Sequence, residues 1–112
     1  MSSVQKVAEL VPGEQNPVII MEDKKEVAEF IQKLQMEKWQ MDEIPSSKKK
    51  MKEYILYQQE TINFGESNKD KELKQVASLI TYHDLPYIEL KWSKFNLVFK
   101  APEEVVEYLS NH

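Results

Sequence analysis

The hydrophobic period of the chain changes between residues 85 and 112, and this change constrains the fold more than any other stretch. Residues 87–92 and residues 95–100 largely alternate apolar with polar side chains, which is the two-residue period of a strand with one buried face. Only Ser93 and Lys94 separate the two segments. We therefore expect an antiparallel pair of strands joined by a tight turn.

A helix is predicted directly after this pair. Pro102 has the fixed φ of a first helical residue, and the two glutamates after it lie where the helix dipole is positive. Val105 and Leu109 then share one apolar stripe. If this stripe covers the apolar side of the first strand, Trp92 is buried in the core, and we adopt that prediction. If it does not, Trp92 becomes the leading candidate for an interface residue.

The composition is that of one globular domain. The chain has 112 residues, of which 41% are hydrophobic and 30% are charged, so a self-sufficient core is feasible. It contains no cysteine, which excludes disulfides, thiolate nucleophiles and thiolate metal sites. No run approaches the roughly 20 apolar residues of a membrane span, and the N-terminus has no signal pattern. We expect a cytoplasmic protein without membrane contact, metal or cofactor.

All 15 basic residues are lysine, and the net charge is −4. Because planar, bidentate recognition of phosphates and bases is normally the work of arginine, nucleic acid is disfavoured as a partner. A run of four lysines still has two interpretations, a solvated turn or a set of phosphate contacts. The run consists of Lys48, Lys49, Lys50 and Lys52.

The N-terminal segment gives a weaker pattern than the rest of the chain. Its apolar residues have helical spacing, and Pro12-Gly13 marks a loop. We predict that residues 1–16 form a partly ordered arm and that residues 17–112 form the domain.

The middle of the chain predicts one clear helix and one ambiguous segment. Asp23 and Glu26 have the spacing of a capping box, so a helix is expected to begin after Asp23. Residues 51–62 predict a long strand. For residues 68–80 we favour a helix over a strand at 76–82, because the segment is longer than a typical strand. The predicted fold is a single α+β domain, in which two to three helices pack on a small mixed or antiparallel sheet with a C-terminal β-hairpin.

The predicted order of elements is strand, helix, strand, helix, strand, strand, helix, with Pro86 just before the third strand. This order resembles the thioredoxin fold, in which a proline at this place is cis and shapes the substrate groove. The paired cysteines of that family are missing, since Glu22, Asp23 and Lys24 stand at the start of the helix. The resemblance therefore implies a binding scaffold without thiol–disulfide chemistry.

Asp84, Glu89 and Lys91 resemble the core of the PD-(D/E)xK nucleases. In that family two carboxylates hold Mg²⁺, and the lysine stabilises or activates the attacking water. The spacing between Asp84 and Glu89 is short for the family, and no strand follows the last predicted helix. An ordinary solvated strand face is the competing interpretation of Glu89 and Lys91.

No catalytic residue is predicted, so the leading hypothesis is a non-enzymatic protein-interaction or regulatory module of microbial or viral origin. It would form a homodimer or bind another protein, which the sequence does not identify, through exposed aromatic surface. The alternatives are weak non-specific nucleic-acid binding through the lysine run and, further behind, the nuclease-like site. The interface candidates are Trp39, Tyr54, Tyr57 and Tyr87.

Overall fold

The structure is a computed structural model that describes residues 4–43, 48–59 and 73–112. The strands are β1 (Lys6–Leu10), β2 (Ile19–Met21), β3 (Gln40–Met41), β4 (Lys50–Gln59), β5 (Leu73–Tyr82), β6 (Tyr87–Trp92) and β7 (Phe95–Lys100), and the helices are α1 (Lys24–Lys33) and α2 (Glu103–Asn111). The strands form one sheet in the order β2-β1-β4-β5-β6-β7-β3, and every neighbouring pair is antiparallel. The domain is therefore α+β.

Both helices lie against the same face of the sheet. Their apolar residues and alternate residues of the strands form one buried core, which the amphipathic stripe of each helix closes. Among the described residues, no helix has the length and apolar character needed to cross a membrane. The largest fully buried members of the core are Phe30 and Leu34 from the α1 side, Leu109 from α2, and Met21, Tyr54, Leu56, Leu79 and Ile88 from the sheet.

The start of α1 confirms the predicted cap. The Asp23 carboxylate accepts a hydrogen bond from the backbone N–H of Glu26 at 3.0 Å, which satisfies one of the N–H groups that a helix leaves unpaired. The helix ends at Lys33, and Gln35 then takes a left-handed conformation with φ 48°. A short 3₁₀ turn, Met36–Lys38, follows before β3.

The prediction of an N-terminal arm over residues 1–16 is wrong where β1 lies. This strand pairs with β2 on one side and with β4 on the other, and both Val7 and Ala8 are buried. The apolar residues of this segment have helical spacing, but the segment forms a strand because hydrogen bonds to β2 and β4 pair the backbone groups that a helix would pair internally. The predicted loop at Pro12-Gly13 is confirmed as a turn, in which Gly13 has φ 89°.

The helix predicted over residues 68–80 is also wrong. Residues 73–80 belong to β5, an inner strand between β4 and β6, and residues 68–72 lie outside the described residues. The apolar residues of β5 divide between the two faces: Leu79 points to the helices and Ile80 to the other side, and both are buried. A strand buried on both faces has the continuous apolar run that also fits a helix, so local propensity did not separate the two.

This correction removes the thioredoxin-like order. A strand stands where that order needs its second helix, the sheet is entirely antiparallel, and the peptide bond before Pro86 is trans.

The predicted burial of Trp92 is wrong as well, since 55% of this residue is exposed. At the opposite end of β6, Ile88 lines a small cavity together with Val106 and Leu109 of α2. Trp92 lies four residues beyond Ile88, which is roughly 13 Å along a strand, so α2 covers the start of β6 and does not reach its end.

Candidate functional site

Two aromatic side chains stand side by side at the end of the β6–β7 hairpin. Trp92 and Phe95 form its last cross-strand pair, and their ring centroids lie 6.3 Å apart. The turn between them has two residues, and its first residue, Ser93, takes φ 55°, as two-residue hairpin turns favour at that position. A cross-strand pair places both side chains on one face, so the turn fixes the two rings as neighbours.

The next pair along the hairpin connects these rings to the core. Leu90 and Leu97 face each other across β6 and β7 and are half-buried, whereas Trp92 and Phe95 are 55% and 56% exposed. We call these four residues the tip surface. It is a continuous apolar strip that begins at the core and ends in solvent, where exposed apolar patches commonly mark binding sites.

Two lysines lie at the end of this hairpin: Lys94 is in the turn beside the rings, and Lys91 is on the opposite face of the sheet from Leu90 and Trp92. Lys91 and Lys94 are exposed, and neither forms an ion pair within the part of the chain that the structure describes. Between Glu89 and Glu103 the sequence contains three lysines and no acidic residue. The hairpin end is therefore positive, although the whole chain carries −4.

The four aromatic residues predicted as interface candidates do not form one surface. Tyr54 is fully buried, so its assignment to an interface is wrong. The Trp39 indole N–H donates to the Leu34 carbonyl at 2.8 Å, which caps the end of α1. Tyr57 and Tyr87 are half-buried and lie on the sheet face opposite the helices.

The lysine run is dispersed among carboxylates rather than gathered into a phosphate site. Lys49 is exposed, and the other three lysines each lie within 4 Å of a glutamate. These ion pairs partly neutralise the three lysines, which leaves less positive charge for phosphate contacts. The pairs are Lys48 with Glu89 at 3.8 Å, Lys50 with Glu53 at 2.6 Å and Lys52 with Glu9 at 3.6 Å.

Glu89, from the nuclease-like motif, is held by structural contacts. Its carboxylate accepts a hydrogen bond from the Tyr82 hydroxyl at 2.7 Å, and Lys48 lies over the Tyr82 ring. Asp84 lies in the turn before β6 with φ 59°. The described residues contain no group of three or more His, Cys, Asp or Glu side chains placed to hold a metal ion.

A cluster of polar side chains lies inside the core, between β1, β4 and the end of α2. Glu9 is buried, and its two carboxylate oxygens lie 2.6 Å from Nδ1 of His112 and 3.6 Å from Nζ of Lys52. Lys52 and Tyr54 donate to the Leu109 carbonyl at 2.9 and 3.1 Å. We call Glu9, Lys52, Tyr54 and His112 the buried cluster.

The buried cluster is built to hold α2 in place. The Leu109 carbonyl belongs to the last turn of α2, where carbonyls lack helical partners and a cation is favoured. A carboxylate beside an imidazole also orients general bases, but no serine or threonine hydroxyl hydrogen bonds to His112 in the described residues. The contacts of the cluster connect β1, β4 and the end of α2, and these connections support a structural role.

Stability is expected to fall above about pH 10 because of two buried tyrosines. Burial raises the pKa of Tyr54, with a further contribution from Glu9, and burial and the hydrogen bond to Glu89 raise the pKa of Tyr82. Below pH 10 both are neutral in the folded and unfolded chain, so their contribution is complete. Above it only the unfolded chain loses these protons, and the free energy of unfolding falls by about 1.4 kcal/mol per pH unit for each tyrosine.

Urea unfolding at several alkaline pH values, with tyrosinate absorbance as a second signal, measures this effect. Tyr82→Phe is the control, because it removes one ionising group and its slope should be shallower. Tyrosinate absorbance that rises fully at pH 10 before unfolding begins would contradict the expectation.

Sequence reasoning found Trp92 but placed it in the core, and it missed Phe95 as a surface residue. The lengths of the elements could have indicated this exposure. The helix α2 has nine residues, or roughly 13 Å, which is shorter than the six-residue strands β6 and β7 that it would have to cover. Models of known protein families, curated proteins and solved structures were compared with this chain, and none of them matches it.

Proposed function

We propose that this chain is a protein-interaction module that binds its partner through the tip surface. The observation that carries the proposal is the pair Trp92 and Phe95, two large rings held side by side by the hairpin and more than half exposed. Burying a large apolar side chain contributes roughly 1.5–3 kcal/mol. Because Trp92 and Phe95 are more than half exposed, most of this free energy is not realised in the fold. A partner that buries both rings would realise it on binding.

The geometry around the rings supports the same function. Hot spots of protein interfaces are enriched in tryptophan and lie where a neighbouring apolar surface excludes water. Leu90 and Leu97 provide that surface next to the rings. The two-residue turn and the hydrogen bonds between β6 and β7 hold the hairpin in one conformation. Little conformational entropy is therefore lost in ordering the rings when a partner binds.

A double variant tests this proposal. Trp92→Ala with Phe95→Ala is expected to abolish retention of the partner in pull-downs, while the melting temperature falls by only a few degrees, since neither ring is buried in the core. The matched control is Val18→Ala with Ile20→Ala, because these apolar residues are similarly exposed, at 49% and 50%, around β2 at the other edge of the sheet.

Quantitative mass spectrometry of the retained proteins gives the readout. Support requires a protein that the parent and the β2 control retain and that the tip variant loses. If every retained protein is held equally by the parent and the tip variant, the tip surface is not the binding site and the proposal fails.

A further inference from the structure

We infer that the tip surface binds an acidic segment of a partner protein that carries at least one apolar or aromatic side chain. This inference rests on the proposed function and adds the chemistry of the partner. Its starting point is the charge around the rings. Lys91 and Lys94 flank Trp92 in the sequence and lack ion pairs in the described residues, whereas three lysines of β4 and its approach are paired with glutamates.

An approaching carboxylate therefore finds two cations at the hairpin end, Lys94 in the turn and Lys91 on the face opposite the rings, and no acidic group among the described residues pairs with either of them. Exposed ion pairs contribute little individually, but complementary charge selects partners and speeds their encounter. One acidic residue of the partner would pair with Lys94 in the turn while its apolar side chain covers the strip from Leu90 to Phe95. A second acidic residue would reach Lys91 around the end of the hairpin, because Lys91 lies on the opposite face.

A second copy of this chain fits the tip surface less well. A two-fold contact through the rings would bring Lys94 of both copies close together, and no acidic residue lies between Glu89 and Glu103 to separate them. Juxtaposed like charges oppose such an interface.

Single-stranded nucleic acid, which also combines negative charge with stacking surfaces, fits less well too. Two lysines neutralise few phosphates, and the remainder of the chain is acidic enough to give a net −4. In addition, the floor of the surface is formed by the aliphatic Leu90 and Leu97, which suit an apolar side chain rather than a base.

Selection from a random 12-residue peptide display library tests the chemistry directly. With the parent protein as bait, selected peptides are expected to contain Asp or Glu next to Phe, Trp, Leu or Ile, with acidic residues enriched about fivefold over the starting library. Two exposed ion pairs at roughly 0.5 kcal/mol each correspond to about that factor. With Lys91→Gln/Lys94→Gln as bait, the acidic enrichment is expected to disappear while the apolar preference remains.

The matched charge control is Lys24→Gln/Lys25→Gln, which removes two exposed lysines from the first turn of α1 and should select the same acidic peptides as the parent. Trp92→Ala/Phe95→Ala should select neither class. Tip-dependent peptides without acidic enrichment overturn this inference but leave the proposed function standing. Selection that the alanine variant leaves unchanged, or no enrichment at all, overturns both.

Two further measurements decide between the other occupants. Sedimentation of the parent that shows a dimer, lost in Trp92→Ala/Phe95→Ala, would assign the surface to a second copy. Tip-dependent binding of a fluorescent 12-residue oligothymidine that is tighter than binding of the selected peptides would assign it to nucleic acid. Either result overturns the inference, and a monomer without tip-dependent oligothymidine binding supports it.

Discussion

Replacing Glu9 with alanine is expected to destabilise the domain by about 3–5 kcal/mol. Glu9 is only 2% exposed, and its carboxylate is the shared partner of His112 and Lys52. Without it, the lysine ammonium stays largely enclosed beside the end of α2 with carbonyl partners alone. Small domains are stable by only about 5–15 kcal/mol, so this loss is a large part of the total. Urea unfolding of the parent and the variant at neutral pH measures it.

Glu53→Ala is the matched control, because Glu53 also pairs with a lysine on β4 but in partial exposure, at 2.6 Å from Lys50. Surface pairs contribute at most about 1 kcal/mol, so the control should unfold close to the parent. A double variant, Glu9→Leu with Lys52→Met, should recover part of the loss, since apolar groups often replace a buried pair well. Equal effects of Glu9→Ala and Glu53→Ala would show that the buried cluster does not hold the fold together.

Replacing Phe30 with alanine is expected to cost about 3–5 kcal/mol through the cavity it leaves. Phe30 is 1% exposed and comes from the middle of α1. Its ring lies 5.3 Å from the ring of Tyr54 and 5.3 Å from that of His112, so it packs directly over the buried cluster. The variant should therefore also loosen the end of α2, which hydrogen exchange of the helix amides would detect as faster exchange.

Phe95→Ala is the control for this substitution. The same side chain is removed from a position that is 56% exposed, and the melting temperature should fall by no more than a few degrees. If both phenylalanine variants lose similar stability, the hairpin end contributes to the core, and its assignment as a free binding surface is wrong.

The elements that the sequence predicted correctly are those specified by nearby residues. The alternation in β6 and β7 and the Asp23 cap of α1 each depend on residues within one strand or one helical turn. The strand β5 depends instead on ladders to β4 and β6, whose residues are distant in the sequence. Long-range pairing decided its conformation against a local pattern that was compatible with a helix.

The tip surface and the buried cluster also differ in how far they could be predicted from nearby residues. Alternation showed which face Trp92 occupies, but the extent of the helical cover depends on where α2 lies in the fold. The buried cluster was not visible in the sequence, because Glu9 and His112 are 103 positions apart. No local motif connects its members, and only the order of the strands brings β1, β4 and α2 together.

The contact between Glu9 and His112 also determines how the domain opens. Terminal strands and helices usually fray independently, at little free-energy cost. Here β1 and α2 are joined through the Glu9 carboxylate, so separation of either one removes a buried polar partner from the other. Fraying at β1 and fraying at α2 are thereby coupled, and the two segments detach from the sheet together or stay together.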